Sequence, residues 1–166
     1  MNEAILLFSS RWSLLPKKYH RSLYMNSHVV LEVIAFIGVL FGFFSIYINK
    51  ENNGKPHFTS WHGFLGLVQI AAVCAQVLIG TFAKYPKIVP GKSFPAAKLK
   101  TFHGVLGVCV IILATANLVS GWYSTWFTTN SHMSMVFLFP FISVCFNGFI
   151  SLRVFTTNSR IKNLLK

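Results

Sequence analysis

Four long apolar stretches, separated by polar segments, dominate the chain. They run from His28 to Ile48, Ser60 to Ala83, Thr101 to Trp126 and Met133 to Leu152. Glu32 is the single charged residue inside them. Each stretch has about the ~20 residues that an α-helix needs to cross the hydrocarbon core of a bilayer, where a helix satisfies its own backbone polar groups. The pattern therefore predicts an all-α membrane protein with four transmembrane helices, solvated by lipid.

The composition agrees with a membrane location. The chain has 166 residues, of which 54% are hydrophobic and only 11% are charged. A soluble domain of this length could not bury so much apolar surface. The length suits one domain.

The basic residues are distributed unevenly. If the four helices alternate in direction, all but two of the 15 basic residues fall on one side of the membrane, and the exceptions are Lys50 and Lys55. The positive-inside rule then predicts that this side is cytosolic and that both termini lie there. Because membrane topology accounts for the net charge of +12, we expect no nucleic-acid partner.

A repeated motif opens the second and third apolar stretches. SWHGFLGL (60–67) is followed 41 positions later by TFHGVLGV (101–108), and the pairs Gln76/Asn117 and Gly80/Gly121 keep the same spacing. Two similar helices that run in opposite directions predict two similar cofactor sites, one near each membrane face. The glycines would leave room for a flat macrocycle or a neighbouring helix.

Three histidines lie near the ends of the predicted helices. His28 and His103 fall at a similar depth on the cytosolic side, whereas His62 lies roughly 25 to 30 Å away at the opposite face. Two imidazoles that face each other across a bundle suit haem iron, which accepts one axial nitrogen on each face. Zinc sites normally have three or four protein ligands, which this level of the bundle does not offer.

Several motifs resemble a known family. They are KPHFTSWHG (55–63), KYPK (84–87), AKLKTFHG (97–104) and STWFT (124–128), together with His28 and Gln76. In this order and at these intervals, they resemble the cytochrome b-561 family, particularly its short eukaryotic members, over nearly the whole chain. The resemblance implies a haem-binding helical bundle that passes electrons from cytosolic ascorbate, through two b haems, to ferric iron or monodehydroascorbate on the far side.

The resemblance also assigns haem ligands. His28 and His103 would be the axial pair of the cytosolic-side haem b, and His62 would be one axial ligand of the far-side haem b.

The same resemblance suggests which residues contact the electron donor and the acceptor. Lys98 and Lys100, just before the third-helix histidine, form a basic entrance that suits anionic ascorbate. His57 is the expected contact for the acceptor on the far side.

The chain departs from the family at its N-terminus. Family members have six helices, and MNEAILLFSS (1–10) matches only the closing part of the second. We therefore expect residues 1–166 to form a partial cytochrome b-561 domain, without the first helix, most of the second and the partner of His62. One complete haem b site is expected instead of two.

Other functions stay open at this point. One is a dihaem cytochrome that exchanges electrons with quinol, and another is a catalytically silent, truncated membrane subunit. The family resemblance makes a homodimer and a location in the endoplasmic reticulum or another endomembrane the expectations for assembly and compartment.

Overall fold

The structure is a computed structural model that describes residues 21–86 and 95–157. Five helices lie within these ranges: α1 (Arg21–Asn52), α2 (Trp61–Lys84), α3 (Ala96–Trp122), α4 (Thr125–Asn130) and α5 (Met133–Thr157). All except the short α4 are long and apolar enough to cross a membrane. The prediction of an all-α protein with four membrane-spanning helices is confirmed. The interpretation of residues 1–10 as the end of a further helix lies outside the described residues.

The helices differ from the predicted spans at several of their ends, and two of these differences have a local cause. The third span was expected to continue to Trp126, but α3 ends at Trp122. Ser124 adopts an extended conformation, and its side chain accepts a hydrogen bond from the backbone N–H of Phe127, so it caps the new helix α4. At the same end of the bundle, α1 continues beyond the apolar stretch to Asn52, because Lys50 and Glu51 are good helix formers.

Helix α3 lies at the centre of the packing. Its most extensive contact is with α2 and its second is with α5, whereas α1 touches α2 over a smaller area. Buried apolar side chains from α2, α3 and α5 fill these interfaces, among them Val73, Val108, Val110, Ile111 and Ile150. The pair formed by α2 and α3 is therefore the scaffold on which the other helices rest.

Glycines allow α2 and α3 to approach closely. A Cβ atom added to Gly107 would lie 2.9 Å from Nε2 of Gln76, and one added to Gly66 would lie 3.6 Å from Nδ2 of Asn117. Small residues at such positions favour helix association in membranes, where the hydrophobic effect does not hold helices together. Each repeat thus supplies a glycine that accommodates the other repeat's amide side chain.

The two ends of the bundle are named here after their histidines. The His103 face contains the start of α1, the end of α2 and the start of α3. The His62 face contains the loop 53–60, the start of α2 and the end of α3. Trp61 and Trp126 lie at the His62 face and are 78% and 72% exposed, which is typical of tryptophans at a membrane–water interface.

Candidate functional site

The structure brings His28 of α1 and His103 of α3 together at the His103 face. Their ring centroids are 6.2 Å apart, and the ring planes are nearly perpendicular, at 86°. Metal–nitrogen bonds from imidazole are about 2.0–2.1 Å long, so two imidazoles on opposite sides of one metal have ring centres about 6 Å apart. The two residues therefore fit an iron atom that takes one axial nitrogen from each side, as in a bis-histidine haem.

The ring of His103 is held against the backbone of α2. A Cβ atom added to Gly80 would lie 2.8 Å from Cε1 and 3.3 Å from Nδ1 of that ring. Any side chain larger than hydrogen would therefore displace the imidazole. One turn earlier on α2, Nε2 of Gln76 donates a hydrogen bond of 2.8 Å to the main-chain oxygen of His103. Two residues of one helix thus fix the histidine of its neighbour.

His62 is held in a related way at the other face. A Cβ atom added to Gly121 would lie 3.0 Å from Cε1 of His62. Nδ1 of His62 lies 3.0 Å from the main-chain oxygen of Asn117. Because a carbonyl oxygen can only accept, Nδ1 carries the proton and Nε2 keeps its lone pair for a metal. His62 is solvent- or lipid-exposed, in contrast to the half-buried His103.

Residues of each repeat contact residues of the other repeat, on the neighbouring helix. The sequence pairs Gly80 with Gly121 and His62 with His103 by spacing. In the structure each glycine supports the histidine of the other repeat, because α2 and α3 are antiparallel. The spacing revealed that these residues belong together, but the crossing became visible only once the helices were packed.

No larger metal cluster accompanies these histidines. Within residues 21–86 and 95–157, no three His, Cys, Asp or Glu side chains come together to hold a metal ion. The pair His28/His103 therefore offers two ligands and His62 offers one. This donor set fits a metal whose remaining ligands come from a macrocycle, and it does not fit a structural zinc ion.

His57, which is expected to contact the electron acceptor, lies in the loop 53–60 at the His62 face. Its Nε2 is 2.8 Å from Oε1 of Glu51, and its ring stacks on Tyr47 at a centroid distance of 4.2 Å. The side chain of His57 is 21% exposed and that of Glu51 is 58% exposed. His57 of the loop and Glu51 at the end of α1 therefore form a fixed histidine–carboxylate pair at the membrane surface.

A residue with a left-handed backbone conformation packs this loop against the start of α2, next to His62. Phe58 has a φ of 55°, a conformation that a side chain with a Cβ atom rarely adopts. Its ring stacks on Phe43 at 6.3 Å, and its Cα would lie 3.3 Å from a Cβ atom at Gly63. Gly63 thus accommodates the loop backbone, whereas the sequence suggested that it makes room for a macrocycle or another helix.

The residues expected to attract the electron donor lie at the start of α3. Lys98 is exposed and Lys100 is half-buried. Lys100 precedes His103 by three residues and so shares its side of the helix. A third lysine, which the sequence analysis did not single out as functional, also lies at this face: Nζ of Lys84 is 3.3 Å from Oδ1 of Asn26.

Comparison with known proteins identifies the family. The model of the eukaryotic cytochrome b561 family matches residues 1–128. This chain belongs to the cytochrome b561 family. The match includes the repeat, the loop 53–60 and all the histidines discussed above, so the resemblance found in the sequence is confirmed.

Several curated members of the cytochrome b561 family are similar to this chain. The transmembrane reductase CYB561D2 of Mus musculus is 37% identical over 128 residues, which is 77% of this chain and 56% of the relative. CYB561D2 of Homo sapiens is 35% identical over 130 residues, or 78% of this chain and 57% of the relative. The lysosomal membrane ascorbate-dependent ferrireductase CYB561A3 of Rattus norvegicus is 27% identical over 95 residues, or 57% of this chain and 36% of the relative.

The chain spans a little more than half of the length of the CYB561D2 proteins that it matches. No solved structure matches it significantly.

Proposed function

We propose that this chain is a haem b electron-transfer protein of the membrane, which takes electrons from ascorbate and delivers them to ferric iron or monodehydroascorbate. The observation that carries the proposal is the pair His28/His103, with ring centroids 6.2 Å apart. Two further facts support it. The chain belongs to the cytochrome b561 family, and similar relatives are named transmembrane reductases.

In this function the protein would hold the haem, orient its histidine ligands, and keep the electron donor and the acceptor on opposite faces of the membrane. When bound, haem b supplies an iron centre that accepts and releases one electron at a time. His28 and His103 would provide its axial nitrogens at the His103 face, and Gly80 and Gln76 fix the position of His103. His62 would provide one axial nitrogen at the other face, with its tautomer set by the carbonyl of Asn117.

The donor would approach the His103 face. Ascorbate is an anion at neutral pH, and Lys98 and Lys100 precede His103 in the first turns of α3. Their positive charges raise the local concentration of an anionic donor. The name of CYB561A3 contains the words ascorbate-dependent ferrireductase, which supports ascorbate as the donor here.

The acceptor would bind at the His62 face. His57 of the loop 53–60 forms a fixed pair with Glu51 at the end of α1, and Phe58 packs over Gly63, the residue that follows His62. Among the residues that the structure describes, Lys50 and Lys55 are the basic ones on this side. An imidazole, a carboxylate and two ammonium groups suit either ferric iron in a chelate or the monodehydroascorbate anion.

Orientation, compartment and assembly follow from the same proposal. The His103 face is the proposed cytosolic face, since described basic residues such as Lys84, Lys98 and Arg153 lie at the helix ends on that side. An endomembrane such as the endoplasmic reticulum is the proposed compartment, by analogy with the family. A homodimer is the proposed assembly on the same ground.

The test is to measure haem content and reduction on the full chain purified in detergent. Pyridine haemochrome spectra give the haem per chain, and the reduced-minus-oxidised spectrum shows whether ascorbate reduces it. We expect at least one haem per chain, reducible by ascorbate, and its loss in His103→Ala. His132→Ala is the matched control, because His132 lies in an exposed loop and contacts Ser134.

Each alternative function predicts a different outcome. A wild-type chain without haem would contradict the proposal and would favour a silent membrane subunit. Haem that quinol reduces and ascorbate does not would favour a quinol-linked cytochrome.

A further inference from the structure

Lys84 is the last residue of α2, and its side chain reaches α1. Its ammonium nitrogen lies 3.3 Å from Oδ1 of Asn26 and 5.3 Å from the ring centroid of Tyr85. Lys84 is half-buried. The ammonium group is therefore placed between two helices and does not simply extend into water, as a lysine at the end of a transmembrane helix could.

The position of Lys84 follows from that of Gly80. Residues four apart lie on the same side of a helix, and Gly80 is in contact with the ring of His103. Lys84 therefore lies on the side of α2 that holds the imidazole, one turn, or about 5.4 Å, closer to the membrane surface. Its partner Asn26 precedes His28 by two residues on α1. Lys84 and Asn26 therefore lie nearer to the membrane surface than the two histidines, at a level named here the mouth of the His28/His103 site.

The side-chain atom at hydrogen-bonding distance from this ammonium, Oδ1 of Asn26, belongs to a neutral group. The chain has three acidic residues, all of them glutamates. Glu51 lies at the opposite face, Glu32 lies in α1 one turn further into the membrane than His28, and Glu3 lies outside the described residues. The contact with Asn26 leaves the positive charge of Lys84 uncompensated by any carboxylate contact of the described residues. An ammonium that has no carboxylate contact and is held in place near a cofactor site is suited to bind an anionic oxygen.

We propose that Lys84, oriented by Asn26, binds an oxyanion at the mouth of the His28/His103 site. The inference rests on the proposed function and adds to it a residue of the motif KYPK (84–87), for which the resemblance supplied no role. Two sources could provide the oxyanion: a propionate of the bound haem or the anionic donor ascorbate. Both offer the same chemistry to the ammonium, a negatively charged oxygen that accepts a charge-assisted hydrogen bond.

The experiment compares Lys84→Met with the wild-type chain and with Arg153→Met. Met keeps the length and apolar character of the lysine stem. Arg153 is the matched control, since it lies near the end of α5 at the same face, and α5 packs mainly against α3. Three quantities are measured on the full chain: haem per chain, the midpoint potential of the haem, and the ascorbate concentration that gives half-maximal reduction rate. A neutral hydroquinone serves as the second reductant.

If the oxyanion is the donor, Lys84→Met raises the half-maximal ascorbate concentration about tenfold, the effect of losing one hydrogen bond to a charged group. Haem content and reduction by the neutral hydroquinone then stay at wild-type values. If the oxyanion is a propionate, the midpoint potential or haem content changes, and the half-maximal ascorbate concentration does not. Either result supports the proposal and identifies the source.

The proposal is overturned if Lys84→Met matches Arg153→Met in all three quantities. Lys84 would then be an ordinary interfacial anchor. A wild-type chain that contains no haem would instead overturn the proposed function itself, so the two failures are distinguishable.

Discussion

The two ends of the α2–α3 pair are built from the same repeated residues but hold their histidines differently. At the His103 face the imidazole is half-buried, lies against Gly80 and faces a second imidazole from α1. At the His62 face the imidazole is exposed, lies against Gly121 and uses its Nδ1 for a bond to a carbonyl oxygen. The repeat therefore supplies the glycine that lies against each histidine. The burial of each histidine and its other neighbours depend on residues outside the repeat.

This difference has a chemical consequence. In the proposed function, the pair at the His103 face would offer two nitrogens to one haem iron, which takes two axial ligands. His62 offers one nitrogen with a fixed tautomer, and within the described residues it belongs to no group of three or more His, Cys, Asp or Glu side chains that could hold a metal ion. An antiparallel repeat can thus produce two similar supports and still leave the two sites with different donor sets.

The largest expected effect comes from filling the space beside each histidine. Gly80→Ala places a Cβ atom 2.8 Å from Cε1 of His103, closer than real contacts allow, so the imidazole must shift. We expect this variant to lose most of its haem and to show an altered low-spin haem signal in electron paramagnetic resonance. Gly121→Ala should have a smaller effect, because the exposed His62 can turn away.

Gly148→Ala is the control for this comparison, since a Cβ atom at Gly148 would have no neighbour within 4 Å. Equal haem loss in Gly80→Ala and Gly148→Ala would show that the contact with His103 is unimportant. Greater loss in Gly121→Ala than in Gly80→Ala would reverse the proposed ranking of the two sites.

A moderate effect is expected from the loop 53–60, and it should concern only the acceptor. His57→Leu removes the imidazole from Glu51 without touching the His103 face. We expect the rate of acceptor reduction to fall about tenfold, as for one lost hydrogen bond to a charged group. Haem content and reduction of the haem by ascorbate should stay unchanged.

Acceptor reduction is measured in reconstituted vesicles, with ferric chelate and monodehydroascorbate tested separately. His132→Leu provides a second exposed histidine at the same face for comparison. An unchanged rate with both acceptors in His57→Leu, or an equal fall in His132→Leu, would remove His57 from the acceptor site.

The smallest effect is expected from the two amide side chains between the helices. Gln76→Leu removes the hydrogen bond to the main-chain oxygen of His103, at a cost of about 1 kcal/mol. The temperature at which haem absorbance is lost should fall by about 2–4 °C, the shift expected for that cost in a chain of this size. Asn117→Leu should cost less, because His62 bonds to the main-chain oxygen of Asn117, which the substitution keeps. A larger shift in Asn117→Leu would contradict this order.

Much of the fold was predictable because it depends on local pattern. Uninterrupted apolar runs of the right length predict the four spans, and alternating directions predict that His28 and His103 lie at one level. The end of α3 was less predictable, because residues 123–126 contain neither a charge nor a proline to mark it. The deciding feature is the capping hydrogen bond between Ser124 and Phe127.

The partners of the site residues were not predictable in the same way. The contacts between Lys84 and Asn26, and between His57 and Tyr47, join residues whose proximity depends on how α1 packs on the rest. No periodicity in the sequence encodes that packing. The crossed support of His103 by Gly80 was partly accessible, since the repeat spacing and the antiparallel arrangement together imply it.

The central claim is that His28 and His103 bind the same iron, and a double-mutant comparison of haem content tests it most directly. Haem per chain is measured for the wild type, His28→Ala, His103→Ala and the double variant, with circular dichroism to confirm that each remains helical. Two ligands of one iron predict that each single variant loses the same haem and that the double variant loses no more than either. A double variant that loses more haem than each single variant would show that the two histidines serve separate sites, and it would contradict the account.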